Sequence, residues 1–250
     1  MITAQRCLFG DSAPWVDDSF SDCHRTELAH GAWIEHQQGW FEGHQAAFDE
    51  LLTQIDWQHQ RRPMYDRVVD VPRLLGSLPE DYLESRSAVV RSTVAAAVEA
   101  GADALTRRYA RAFDRIGLVL YRNGRDSVAW HGDTIARDLP QAMVATVSLG
   151  EPRRFLLRPV GGGESLSFEL GHGDLMVMGG TCQRTWQHTV PKAARAGPRI
   201  ALMFRPSKTS TTSDSTRPRV VEVQRMSEAR VPHAAMSSDS EEVPSTCTPT

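Results

Sequence analysis

The sequence lacks several features that would assign it to a class at once. It has only four cysteines, Cys7, Cys23, Cys182 and Cys247, without the paired spacing of a disulfide framework or a cysteine-rich zinc site. It has no apolar run of the length that spans a membrane, and its first residues lack the apolar core of a signal peptide. We therefore expect reduced thiols, no membrane association and a cytoplasmic location.

A strong excess of one charge is also absent. The net charge is -3 over 250 residues, which excludes a general basic coat for nucleic acid but leaves a local basic groove possible. Hydrophobic residues make up 40% and charged residues 24% of the chain. This ordinary composition, at this length, predicts a soluble protein with one sizeable domain, and we expect a monomer.

The chain divides by composition into three parts. Residues 1–30 are polar and acidic and are predicted to be poorly ordered. Residues 31–206 are predicted to form a single domain, with a helical part at 31–114 and a β part at 115–206. Residues 207–250 are rich in Ser and Thr and have no aromatic residue, so we expect a disordered tail.

Helical and strand patterns separate the two parts of the domain. Apolar residues recur at helical spacing in 40–55 and 88–113. Beyond them, short β-prone runs alternate with glycine-rich turns, as expected for an all-β sandwich or barrel and not for a βαβ sheet. The strand candidates are 116–121, 143–149, 154–159, 166–170, 175–178 and 199–205.

The residues most informative about chemistry are His131, Asp133 and His188. Residues two apart on a strand point to the same face, so His131 and Asp133 can reach one metal ion. Two histidines and one carboxylate leave coordination positions open, as in non-haem Fe(II) oxygenases. Alone, a His-x-Asp pattern is more often a histidine beside a turn aspartate.

A second pattern lies on an apolar strand near the end of the domain. Arg199 and Arg205 are six residues apart, so both project from the same face. Buried guanidinium groups are costly unless they meet anions, and a dicarboxylate would pair with them bidentately. The alternative is two arginines at strand ends that reach solvent or local acidic side chains.

At these residues a family resemblance becomes specific. The motifs occur in one order and spacing, and together the segment of about 62–206 resembles the AlkB family of Fe(II)- and 2-oxoglutarate-dependent dioxygenases. They are Asp126-Ser127-Val128-Ala129-Trp130-His131-Gly132-Asp133, Val147-Ser148-Leu149-Gly150, Arg153-Arg154-Phe155, 170–180, 186–192 and 199–205.

The resemblance implies a mainly β α+β fold, a double-stranded β-helix (jelly roll) with flanking N-terminal helices. It implies Fe(II) held by His131, Asp133 and His188. It also implies 2-oxoglutarate and O2 as co-substrates, with the distal carboxylate of 2-oxoglutarate on Arg199 and Tyr121 and with Arg205 near its metal-side carboxylate.

The resemblance further implies removal of N-alkyl groups from nucleobases such as 1-methyladenine and 3-methylcytosine. The partner would be alkylated DNA or RNA that is single-stranded or has a flipped base. Pro72-Arg73-Leu74 resembles part of a nucleotide-recognition lid, so Arg73, Trp130 and Tyr65 are candidate substrate contacts, although Tyr65 is as readily an ordinary half-buried aromatic.

Four positions depart from the family pattern. Val119 and Ala201 stand where many members have asparagines that help to hold 2-oxoglutarate, which predicts weaker binding or a differently built pocket. Thr134 and Ile135 stand where many DNA-repair members have acidic residues that contact the base.

Three hypotheses follow. The first is a nucleic-acid N-dealkylase with a basic groove beside the iron. The second is an oxygenase of the same chemistry with a protein, lipid or small-molecule substrate, which Thr134 and Ile135 favour. The third is a non-catalytic jelly-roll binding module, against which the full set of ligands and arginines argues.

Overall fold

A computed structural model describes residues 13–64, 67–78, 92–133, 140–206 and 219–220. Within this part the strands are β1 (Trp15–Val16), β2 (His24–Glu27), β3 (Ala32–Gln37), β4 (Phe41–Glu42), β5 (Gln58–Met64), β6 (Arg67–Ser77), β7 (Arg115–Tyr121), β8 (Val128–His131), β9 (Val144–Gly150), β10 (Arg153–Pro159), β11 (Leu166–Leu170), β12 (Asp174–Gly180), β13 (Trp186–Val190), β14 (Arg199–Arg205) and β15 (Arg219–Val220). The helices are α1 (His44–Gln54), α2 (Thr93–Tyr109) and α3 (Cys182–Thr185), with a 3-10 turn at Ala29–Gly31.

Two sheets form the body of the fold. The large sheet has the order β2-β3-β12-β9-β14-β7-β6-β5, with β15 beside β7, and the small sheet has the order β11-β10-β13-β8. From β7 to β14 the chain alternates between the sheets, apart from the β10–β11 hairpin, which lies in the small one. This alternation of antiparallel strands is that of a jelly roll.

Two apolar layers enclose the large sheet. On its outer face, α1 lies against β9, and residues of α1 and α2 share one apolar cluster with Ala145, Val147 and Leu149. On its inner face, a second cluster joins Val144 of β9 to Phe155 and Leu157 of the small sheet. All seven residues of β9 are buried because both of its faces are covered.

The two long helices, α1 and α2, each bury one face in the outer apolar cluster. In α2, Ser92 is the N-cap, and its hydroxyl accepts from the backbone N–H groups of Val94 at 3.0 Å and Ala95 at 3.4 Å. The small side chains of this alanine-rich helix let it lie close to the sheet. No helix among the described residues has the length and apolarity to cross a bilayer.

The mainly β jelly roll with flanking helices is confirmed. The six predicted strands appear as β7, β9, β10, β11, β12 and β14, within a residue or two of the expected bounds. The helices predicted in 40–55 and 88–113 correspond to α1 and α2, and residues 88–91 of the second prediction lie outside the described range.

Three expectations about the flanking parts need correction. Residues 13–30 are ordered: β2 pairs with β3, and β1 pairs with β4. The part 31–114 is not mainly helical, since β3, β5 and β6 extend the large sheet. In the tail, Arg219–Val220 forms a parallel pair with β7. The predictions for residues 1–12, 207–218 and 221–250 lie outside the described residues.

Candidate metal centre

Three candidate ligands meet on the small sheet. His131 ends β8 and lies opposite His188 of β13, and Asp133 follows two residues after His131. One ligand atom from each of the three lies within 4.8 Å of the others. Among the described residues, this is the one group of three or more such side chains that can hold a metal ion.

The two histidine rings are fixed by their surroundings. Nδ1 of His131 lies 2.8 Å from the carbonyl oxygen of Ala129, which orients the ring and leaves Nε2 for a metal. The His188 ring stacks on Phe155 at 5.3 Å between centroids and lies 4.2 Å from the ring of His131.

Burial and charge hold two of these groups in the form that binds a metal. Burial, together with the neighbouring His131, lowers the pKa of His188 to about 3. Burial alone would raise the pKa of Asp133, but the charges of Arg205, His188 and His131 outweigh it and lower that pKa below its ordinary value. A neutral imidazole and an ionised carboxylate are the species that coordinate metals.

Arg205 connects this centre to the large sheet. Its Nη2 donates to Oδ1 of Asp133 at 3.3 Å, while its Nε is buried without a hydrogen-bond partner. The guanidinium therefore already touches the carboxylate ligand and has a donor left for a second anion.

Arg199 lies deeper on the same face of β14. It is only 1% exposed, and its Nη2 donates to the hydroxyl of Ser148 at 2.6 Å. Its Nε and Nη1 are buried without a partner, although buried donors are nearly always paired. Burial lowers the pKa of this guanidinium, and an anion would supply the missing acceptors.

Tyr121 is paired in register with Arg199, and its ring lies close to two guanidinium groups. The guanidinium carbon of Arg199 is 5.4 Å and that of Arg153 is 5.6 Å from the ring centroid. Burial raises the pKa of Tyr121, so its hydroxyl stays protonated and can donate.

Arg153 itself is 3% exposed and donates to three backbone carbonyls. The acceptors are Asn123 at 3.1 Å, Asp126 at 2.8 Å and Pro191 at 2.7 Å. The charge of Arg153 adds to the positive potential around Tyr121. Its hydrogen bonds connect the segment that precedes β8 to the segment that follows β13.

The residues present fit both an iron ion and a dicarboxylate. The donor set is two imidazoles and one carboxylate, the arrangement of Fe(II) oxygenases with open coordination positions. Arg199 offers buried donors without acceptors, and Arg205, at the other end of the same strand, contacts the ligand Asp133. His131, Asp133 and His188 would hold the metal, and Arg199, Tyr121 and Arg205 would hold the dicarboxylate.

The candidate substrate residues are more scattered. Arg73 is half-buried on β6, and its Nη1 lies 3.4 Å from the carbonyl oxygen of Ser127, in the segment that precedes β8. Trp130 projects from the opposite face of β8 to His131, and the guanidinium of Arg158 covers its ring at 4.0 Å. Tyr65, Thr134 and Ile135 lie outside the described residues.

The two departures in the co-substrate pocket are neighbours. Val119 and Ala201 face each other across β7 and β14, and both are buried in the inner apolar cluster. Two apolar side chains therefore stand between the levels of Tyr121 and Arg205, so this wall of the pocket offers no side-chain hydrogen bond at these positions.

Sequence reasoning missed two polar contacts to this centre. Oε1 of Gln183 accepts the backbone N–H of Asp133 at 2.8 Å, and the hydroxyl of Ser148 accepts from Arg199. Ser148 could have been found, because an alternating strand places it on the inner face of β9. Gln183 lies 50 residues from its partner, and no local pattern reports such a contact.

Comparison with known proteins agrees with this geometry. The model of the 2OG-Fe(II) oxygenase superfamily matches residues 33–231, a range that includes all the candidate ligands and arginines. The chain therefore belongs to the 2OG-Fe(II) oxygenase superfamily, and this membership implies Fe(II), 2-oxoglutarate and O2 as its cofactor and co-substrates.

Relatives specify the branch. The chain is 30% identical over 177 residues to "Alpha-ketoglutarate-dependent dioxygenase alkB homolog 3" of Bos taurus, covering 64% of this chain and 60% of that protein. It is 36% identical over 117 residues to "DNA oxidative demethylase ALKBH2" of Arabidopsis thaliana, covering 37% of each. The resemblance to the AlkB family is confirmed.

The matches do not extend over the full relatives. The chain spans 60% of the bovine protein and 37% of the Arabidopsis protein. Among solved structures, that of OsALKBH1 is 15% identical, with a TM-score of 0.45, and covers 74% of this chain and 100% of that one.

Proposed function

We propose that this protein catalyses the oxidative N-dealkylation of alkylated nucleobases, such as 1-methyladenine and 3-methylcytosine, in DNA or RNA. The observation that carries the proposal is the meeting of a His-Asp-His triad with the unpaired buried donors of Arg199. The names of the relatives, an alkB homolog and a DNA oxidative demethylase, support the nucleic-acid substrate.

When bound, Fe(II) with 2-oxoglutarate and O2 supplies the oxidation of the N-alkyl carbon, with formaldehyde, succinate and CO2 as products. The contribution of the chain is geometric and electrostatic. His131, Asp133 and His188 hold the metal, and Arg205 holds the Asp133 carboxylate in its ionised form. No side chain needs to act as a nucleophile.

Arg199 and Tyr121 select the co-substrate. The Nε and Nη1 donors of Arg199 are buried without acceptors, which a distal carboxylate would supply, and the protonated phenol of Tyr121 adds a further donor. Apolar side chains around them, including Val119 and Ala201, exclude water from this end. A 2-oxo acid without a distal carboxylate would leave the arginine unpaired.

The substrate base must reach the metal from outside the duplex stack. We propose that the substrate is single-stranded or that its target base is flipped out of the duplex. Flipping costs roughly a few kcal/mol, which a single strand avoids. We also propose that the enzyme is a monomer. Arg73 on β6, whose guanidinium lies beside the segment before β8, is our candidate contact to the nucleic acid.

The test uses a single-stranded DNA oligonucleotide with one 3-methylcytosine, incubated with Fe(II), 2-oxoglutarate and ascorbate. We expect the mass of the oligonucleotide to fall by one methylene unit, and the His188→Ala variant to leave it unchanged. Succinate formation with no change in the oligonucleotide would overturn the nucleic-acid substrate and favour an oxygenase with another substrate.

A further inference from the structure

The carboxylate ligand, Asp133, lies against the short helix α3, which contributes neither a metal ligand nor a residue of the co-substrate pocket. Gln183 in α3 is 5% exposed, and its Oε1 accepts the backbone N–H of Asp133 at 2.8 Å. The next residue, Arg184, donates from Nη1 to the backbone carbonyl of Asp133 at 3.2 Å. Both backbone polar groups of the ligand residue are therefore held by consecutive side chains of α3.

Gly132, between His131 and Asp133, permits this contact. A Cβ at Gly132 would lie 2.6 Å from the carbonyl oxygen of Gln183, which is a backbone atom that cannot rotate away. Gly132 does not have a positive φ, so the reason for glycine here is the close approach of α3 and not the backbone conformation.

The helix α3 is itself anchored at its other end. The hydroxyl of Thr181 donates to the carbonyl of His30 at 2.6 Å, and the indole N–H of Trp186 donates to the carbonyl of Ala29 at 3.2 Å. Nε2 of Gln183 points to the sulfur of Met178 at 3.6 Å. Gln183 thus has little freedom to leave Asp133.

We propose that Gln183 is a positioning residue for the metal carboxylate, with Arg184 and the bare backbone of Gly132 completing the clamp. This inference rests on the proposed function of the site. Partners outside the ligand set orient the ligands, and their loss typically weakens metal binding by about 10- to 100-fold. Removing the acceptor would also leave the Asp133 N–H buried and unpaired.

Two substitutions of Gln183 distinguish loss of the acceptor oxygen from a change in side-chain volume. Gln183→Met keeps the length of the side chain and removes the oxygen, whereas Gln183→Glu keeps an acceptor. The readout is an anaerobic titration of the metal-free protein with Co(II), followed by its visible absorption. We expect Gln183→Met to bind Co(II) about 10- to 100-fold more weakly and Gln183→Glu to recover most of that loss.

Gln187→Met is the matched control. Gln187 precedes His188 on β13, but its Oε1 accepts from Arg158 on the outer face of the small sheet. The same substitution there should leave Co(II) affinity unchanged. Melting of each metal-free variant shows whether its fold is retained.

Gly132→Ala tests the clamp from the ligand side and serves if Gln183→Met does not fold. Its added methyl must push α3 from Asp133, so we expect a similar loss of Co(II) affinity together with a lower melting temperature. Wild-type affinity in Gln183→Met, or equal losses in Gln183→Met and Gln183→Glu, would overturn the assignment.

Failure of the proposed function would look different. The Co(II) affinities would keep the expected order, with Gln183→Met weakest, while the methylated oligonucleotide kept its mass with the wild-type protein. The clamp and the substrate are therefore judged by separate readouts.

Discussion

The metal half of the site and its co-substrate half differ in how far their polar groups are paired. Where β8, β13 and α3 meet, the ring of His131 and the backbone and carboxylate of Asp133 already have protein partners. Where β7, β9 and β14 meet, Arg199 has two buried N–H groups without one. The metal ligands are pre-oriented for a cation, whereas Nε and Nη1 of Arg199 would gain acceptors from a bound anion.

This difference has an energetic meaning. Unpaired buried donors cost free energy in the ligand-free protein, so part of the binding free energy of a dicarboxylate comes from relieving that cost. Metal affinity at the pre-oriented ligands has a different origin, because their orientation is already established before the metal binds. The two halves should respond differently to substitution.

The largest expected effect breaks the metal half. Asp133→Asn removes the one anionic ligand and leaves Arg205 facing a neutral group. We expect Co(II) affinity to fall by more than about 100-fold, because the loss should exceed that of an outer partner, and turnover to be lost. Calorimetric titration measures it, with Asp103→Asn, an exposed site on α2, as the control. Retained affinity would exclude Asp133 as a ligand.

A nearly equal effect breaks the co-substrate half. Arg199→Met removes a charge whose hydrogen bonds to a carboxylate contribute about 1.5–3 kcal/mol each, so half-saturation by 2-oxoglutarate should need about 10- to 100-fold more co-substrate. Because buried cations are costly, the ligand-free variant should melt at the wild-type temperature or above it.

Initial rates against 2-oxoglutarate concentration, and melting without ligands, check both statements. The control is Arg154→Met, an exposed arginine on β10. A clear drop in the melting temperature of ligand-free Arg199→Met would show that the arginine is already satisfied without an anion, and the contrast between the halves would disappear.

A smaller effect sharpens the border between the halves. Arg153→Met should raise the 2-oxoglutarate concentration for half-saturation by about tenfold or less, since Arg153 acts on Tyr121 and not on the anion directly. It should also lower the melting temperature, because three carbonyls lose their donor. A loss of Co(II) affinity with no change in the 2-oxoglutarate requirement would show that Arg153 supports the metal ligands and not the co-substrate pocket.

The smallest effect concerns pH and the metal half alone. The folded pKa of His188 is about 3 against an ordinary 6.5, so the unfolded chain binds this proton more readily. The stability that His188 contributes is present above pH 6.5 and is lost as the pH falls toward 3. From pH 7 to 5.5, the metal-free wild type should lose about 1 kcal/mol more than His188→Gln.

Urea unfolding of both proteins at the two pH values measures this difference. Equal losses would mean that His188 is not held neutral by burial in the metal-free fold.

The part of the molecule that could be predicted from sequence is the part whose signals are local or ordered along the chain. The strands from β7 to β14 have apolar runs bounded by glycine turns, and His131, Asp133 and His188 stand in motifs with fixed spacing. β5 could not be predicted in this way, because Gln58–Met64 is mostly polar and is a strand only through its pairing with β6.

Long-range contacts explain the remaining differences. β2 pairs with β3, and β3 pairs with β12, which is far away in the sequence. Because the acidic composition near the N-terminus does not report this pairing, it wrongly predicted poor order for residues 13–30. Gln183 reaches Asp133 because β12 and β13 return the chain to β8, which is a property of the topology and not of any segment.

The 3-10 turn at Ala29–Gly31 has a practical consequence for where this protein can be shortened. The superfamily match begins at residue 33, and an expression boundary drawn there would retain every ligand and every arginine of the site. It would remove the carbonyls of Ala29, His30 and Gly31 that hold Trp186 and Thr181. Such a truncated protein would keep every metal ligand but lose the hydrogen bonds that anchor α3 and the start of β13. We therefore expect it to bind iron more weakly than the full chain does.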